Sequence, residues 1–199
     1  MLSNYLTDII VEKLIKLEII SRNDKEIYCY SYQYIIELLL FCSSLLLISL
    51  PMSNVTSTLI FIITVIPLRT FAGGIHAPTK QLCSILSYIL FFLCIYIPYY
   101  MLKLSYNIIF PMLITTLICI CITSPQPDVH KKLTDENSHL LKKITLIISV
   151  AITILVIILY FSNQKIYIIN ITFNTVVVLI GILLQFVKPK RMEIANNEF

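Results

Sequence analysis

The sequence predicts an all-α fold, a polytopic integral membrane bundle of four to six membrane segments preceded by an amphipathic N-terminal helix. Three observations carry this prediction. The chain is 58% hydrophobic, its mean hydropathy is +0.88, and 13% of its residues are charged, whereas a soluble domain carries about 25% charged residues. The apolar residues gather into six runs separated by polar stretches. Lys and Arg fall almost wholly in alternate polar stretches, which is a topology signal and not the contiguous patch that nucleic acid requires.

Taken in order, residues 1–25 form the amphipathic element. Leu6, Ile9, Ile10, Leu14, Leu17 and Ile20 share one broad face, and Asp8, Glu12, Lys16 and Glu18 lie largely elsewhere. Such a helix lies in the membrane interface or packs on the rest of the protein. It lacks the uncharged apolar core and small-residue cleavage site of a signal peptide. The apolar runs follow at 34–50, 55–68, 82–102, 106–123, 144–161 and 166–187. The first two are short against the roughly 17–25 residues of a spanning helix. They therefore either cross or dip in and return, which leaves four or six spans. Pro51 and residues 54–57 turn between them. LKLS at 102–105, SPQPDVHKKLTDENSHLLKK at 124–143 and SNQK at 162–165 make the later connections. With no internal repeat or low-complexity linker, residues 1–199 read as one membrane-embedded domain.

Charge orients this layout. With an even number of spans, one side holds Lys13, Lys16, Arg22, Lys25, Arg69, Lys80, Lys131, Lys132, Lys142, Lys143, Lys188, Lys190 and Arg191, and the other holds Lys103 and Lys165. The positive-inside rule makes the rich side cytoplasmic, with both termini on it. The chain has no tryptophan, so interfacial anchoring falls to its 12 tyrosines. Of six cysteines, Cys42, Cys94, Cys119 and Cys121 lie inside apolar runs and serve as small hydrophobes.

One stretch breaks the apolar pattern. RTFAGGIHAPTKQLC, residues 69–83, holds two of the three glycines and one of the three histidines, with a cysteine seven residues after that histidine. Gly73-Gly74 frees the backbone for positive φ, and Pro78 suits the first turn of a helix starting near 78–80. On one continuous helix, His76 and Cys83 would lie about 10 Å apart along the axis, too far to share a proton. A loop folded back at the glycines brings His76 over the first turns of the next helix. There the imidazole and the helix N-terminus both favour the thiolate of Cys83. A Cys/His zinc site is disfavoured, because zinc takes three or four ligands and no other Cys or His is near in sequence; no metal or cofactor is expected.

Arg69, the glycine pair, His76-Ala77-Pro78 and Cys83 together resemble the accessory gene regulator B family, membrane-embedded cysteine endopeptidases of Gram-positive quorum sensing. The resemblance extends to chain length, the amphipathic N-terminus, the paired apolar segments and the basic loop. It implies His76 as general base and Cys83 as nucleophile, with Arg69 and Gly74 as further required positions. It implies that Gln33 of YSYQ (Tyr30 to Gln33) fills a polar position early in the first apolar helix, with Ser31 where the family has glycine. It also implies a pheromone precursor peptide as substrate, a thiolactone or lactone product and a homodimer. Glu37 rivals Gln33 on physical grounds alone. It is the sole carboxylate inside an apolar run, where an acid is costly and usually functional, although it stands near enough to the interface to snorkel.

The competing class is a non-catalytic peptide exporter, with Pro67, Pro98 and Pro111 as helix breaks. Intramembrane charge is nearly absent, which argues against it, and an exporter would tolerate Cys83→Ala. Lys131 and Lys132, with Lys142 and Lys143, either mark topology at anionic lipid or draw in the acidic tail of a precursor. If they bind the tail, replacing all four by Gln raises the apparent KM roughly tenfold at low salt and much less at about 0.5 M salt. An unchanged KM at low salt would refute that role.

Overall fold

The computed structural model describes residues 2–73, 80–125 and 135–196, which are helical with no strand among them. The helices are α1 (Leu2–Lys16), α2 (Lys25–Ser49), α3 (Val55–Ala72), α4 (Lys80–Tyr100), α5 (Tyr106–Thr123), α6 (Asp135–Phe161) and α7 (Lys165–Asn196), with a 3-10 turn at Arg22–Asp24. Six of them, α2 to α7, are long and apolar enough to cross a bilayer. This is a multi-pass helical membrane protein, and the short second run becomes a full-length helix because Arg69 to Ala72 continue it. Several helices outrun their apolar cores in the same way: α2 begins at Lys25 and α6 at Asp135. Polar residues at the ends satisfy the helix backbone as well as apolar ones do, so hydropathy understates helix length.

The helix ends show how a glycine-poor chain turns. Glu18, Ser53 and Asn163 have φ of 57°, 53° and 55°. Each ends a helix with the same pair of bonds. At Asn163, its own N–H donates to Tyr160 O (3.0 Å) and the N–H of Gln164 donates to Leu159 O (3.0 Å). Glu18 and Ile19 do this to Ile15 and Leu14, and Ser53 and Asn54 to Leu50 and Ser49. This is the Schellman closure, normally built on glycine. A side chain in the left-handed region costs about 1 kcal/mol or more, a cost these ends meet with two backbone bonds apiece. After α3 a glycine takes the positive φ: Gly73 has φ 95°.

The chain divides into two compact units, Met1–Val55 and Thr56–Phe199. In the first, α1 packs on α2. Among the described side chains of α1, Thr7 and Val11 are buried and Leu14 half-buried. Of the apolar face expected from the sequence, Leu14 and, past the helix end, Ile20 turn inward, whereas Ile9, Ile10 and Leu17 are exposed. The helix stops at Lys16, so Leu17 and Ile20 leave its periodicity, and contact with α2 selects the Thr7–Val11 stripe. Lys25 bridges to Glu12 at 3.4 Å between exposed side chains, a pair worth little in water.

In the second unit α7 is the hub, packing against α4, α5 and α6. Among its fully buried positions, Ile168, Ile171, Thr175 and Ile182 recur at three-, four- and seven-residue spacing, the stripe of one helical face. Helix association in lipid has no hydrophobic drive and rests on close packing and interhelical hydrogen bonds. Both are present. Phe61 of α3 meets Phe91 of α4 edge to face at 5.4 Å, and Lys165 stands over the Tyr106 ring at 5.4 Å. Asn174 of α7, fully buried, donates to Thr64 Oγ1 of α3 at 2.9 Å and to Asn170 Oδ1 at 3.1 Å. Thr116 of α5 and Thr175 of α7 share a hydrogen bond at 3.0 Å.

These polar contacts are expected to carry measurable stability. In a double-mutant cycle of Thr64→Ala and Asn174→Ala, unfolding in mixed detergent should give a coupling energy of about 0.6–1.7 kcal/mol. Strict additivity would mean that the bond contributes nothing.

Candidate active site

The site is built where α3 ends and α4 begins. The inner face of α3 carries Phe61, Thr64, Val65, Leu68 and Ala72, all buried. Arg69 stands beside Leu68 on the last turn of the helix, half-buried. It was expected in a loop; its place in a helix fixes its direction. On α4, Cys83 and Ser87 lie one turn apart and half-buried, and the same face continues through the buried Phe91 and Cys94. Cys83 is the fourth residue of α4, as the helix start anticipated near 78–80 implies. The seam between α3 and α4 is therefore closed by an aromatic pair in its depth and by polar groups at its mouth.

Three hydrogen bonds define that mouth. Arg69 Nη2 donates to Cys83 Sγ at 3.7 Å, and Arg69 Nη1 donates to Ser87 Oγ at 3.3 Å. Ser87 Oγ donates in turn to the Cys83 carbonyl at 2.9 Å. A guanidinium stays charged at any working pH and is planar, so two of its nitrogens are set against two neighbouring groups of one helix face. Such a cation stabilises negative charge on the sulfur whenever it forms.

Of the residues singled out from the sequence, Arg69 and Cys83 come together. Gln33 and Glu37 also pair, Gln33 Nε2 donating to Glu37 Oε1 at 2.9 Å one turn along α2. Both belong to the Met1–Val55 unit. Gly74, His76, Lys131 and Lys132 lie outside the described residues, while Lys142 and Lys143 are exposed on α6, which starts inside the expected 124–143 loop. Sequence reasoning missed Ser87, Asn170 and Asn174. The available signals were a serine four residues after Cys83 and two asparagines four apart in an apolar run, since polar residues at helical spacing inside a membrane segment face protein.

The contact between Arg69 and Cys83 predicts a thiol whose reactivity depends on the arginine. Arg69→Ala is expected to slow alkylation of Cys83 by iodoacetamide about tenfold at neutral pH, and Arg69→Lys less, read by mass spectrometry of the labelled peptide.

Compared with known proteins, the chain matches the family model for accessory gene regulator B over residues 3–188. No curated protein and no solved structure matches it significantly. A match over nearly the whole chain, with an arginine held on the cysteine of its RTFAGGIHAPTKQLC stretch, leads to one conclusion: the chain belongs to the accessory gene regulator B family, which processes pheromone precursor peptides in quorum sensing.

Proposed function

We propose that the protein is a membrane-embedded cysteine endopeptidase that removes the C-terminal tail of a pheromone precursor peptide, with Cys83 as nucleophile. The observation that carries this reading is the guanidinium of Arg69 held against the Cys83 thiol by Ser87. A cysteine that served packing alone would have no need of a cation at its sulfur.

In this mechanism His76 takes the thiol proton, and the Cys83 thiolate attacks the carbonyl at the junction between the future pheromone and the tail. Negative charge passes from sulfur to the carbonyl oxygen, and Arg69 is near enough to the sulfur to offset charge in this region as it develops. The C–N bond then breaks, the leaving amine takes the proton back from the imidazolium, and a thioester to Cys83 remains. A cysteine or serine side chain within the peptide gives its proton to His76, now neutral again, and attacks that thioester. The new ring bond forms as the bond to Cys83 breaks, and the Cys83 thiolate is restored. Thioester exchange nearly conserves bond energy, whereas hydrolysis would dissipate it, so the site has to exclude water. A seam between two apolar helices at a membrane face meets that requirement.

The charge asymmetry puts the site and both termini on the cytoplasmic side. Lys131 and Lys132 draw in the acidic tail, and Gly74 is a further required position of the stretch that carries His76 and Cys83. A second copy of the chain and the surrounding lipid complete the working unit. No metal or cofactor takes part in these steps.

The test is mass spectrometry of a precursor peptide incubated with purified protein in lipid. Wild type should release the tail and form a transient peptide adduct on Cys83, while Cys83→Ala should lose at least about 10³-fold in rate. Equal processing by both proteins would remove Cys83 from the mechanism.

A further inference from the structure

We propose that Ser87 is a positioning residue for the reaction: its hydroxyl oxygen holds one nitrogen of Arg69, so that the other faces the Cys83 sulfur. The inference rests on the reading of Cys83 as nucleophile and adds Ser87 to Arg69, His76 and Cys83.

Ser87 spends its single hydrogen on the Cys83 carbonyl, four residues back, at 2.9 Å. This is the usual back-bond of serine in an apolar helix. The oxygen keeps only lone pairs and presents an acceptor, never a donor, to the neighbouring helix. Arg69 Nη1 donates to it at 3.3 Å. Because the guanidinium is a rigid plane, fixing Nη1 sets the direction of Nη2, which reaches Cys83 Sγ at 3.7 Å.

A long arginine at the end of a membrane helix has a strong competitor for its charge. It snorkels to lipid phosphate at the interface. A thiol is a weak acceptor. Ser87 supplies a better one, one turn deeper on α4, and directs the cation toward the sulfur. Among the described residues, Arg69 is the charged group that touches Cys83.

The experiment measures the iodoacetamide labelling rate of Cys83 in lipid nanodiscs by mass spectrometry, with Cys29 of the same molecule as internal reference. It compares Ser87→Thr with Ser87→Val, which differ in the hydroxyl and hardly in shape. Ser87→Val should lower the Cys83 rate about tenfold and Ser87→Thr should keep it within about twofold of wild type. On the Arg69→Ala background, Ser87→Val should add nothing, because Ser87 acts only through the arginine. With the precursor peptide, Ser87→Val should lower kcat with KM unchanged.

Equal rates for the Thr and Val variants would overturn the proposal, as would a full Ser87→Val effect on the Arg69→Ala background. The labelling arm needs no substrate. Wild type that labels at Cys83 in this Ser87-dependent way but leaves every precursor intact would sink the peptidase reading and leave the arrangement of the three residues standing.

Discussion

Hydrocarbon offers no partner to a polar group, and most of this structure follows from that constraint. Inside the second unit most buried hydroxyls and amides are satisfied by their own helix or by the next one, while Ser124 Oγ, Asn170 Nδ2 and Asn174 Oδ1 have no protein partner among the described residues. Thr64, Thr145, Ser149 and Thr172 turn back to carbonyls four residues earlier. Asn174 cannot satisfy itself that way and crosses to Thr64 instead. An amide that crosses between helices does more than stabilise. It fixes which faces meet and at what height, which apolar contact alone leaves loose because lipid tails resemble leucine.

The register so fixed passes to the site. Thr64 lies on α3 five residues before Arg69, and the Phe61–Phe91 contact joins α3 to α4 one turn deeper. α7 holds α3 through Asn174 and packs on α4 as well. The last turn of α3 and the first turns of α4 are thus presented to one another by groups buried well below them. Arg69 meets Cys83 and Ser87 at the end of a stack that begins with the asparagines. The proposed site therefore lies at the mouth of the seam between α3 and α4. That is where a reacting group needs both a fixed frame and access for a substrate arriving from the interface.

Polar residues in this chain divide by what they can reach. Those near helix ends turn outward or cap the backbone, as Ser105 does when its hydroxyl accepts the N–H of Asn107 at the start of α5. Those at mid-helix bind carbonyls or cross to neighbours. The pair of Gln33 and Glu37 is a third case, a carboxylate supported by an amide one turn away on the same helix. It lowers the cost of holding an acid within an apolar run.

Composition and the alternation of basic stretches determined, without coordinates, that the chain is a helical membrane bundle and roughly where each helix lies, because hydropathy and length are properties of single segments. The same local reading found Arg69 and Cys83, since a charge and a thiol among glycines stand out against leucine and isoleucine. Helix limits were less legible: Arg69 to Ala72 and Asp135 to Lys143 are polar enough to read as loop yet continue their helices. Which stripe of α1 is packed, that Gln33 bonds Glu37, that Asn174 crosses to Thr64 and that Ser87 receives Arg69 were decided only by tertiary structure. A hydrogen bond between helices depends on rotation and height, and those are set by the packing of whole faces, which no single segment encodes.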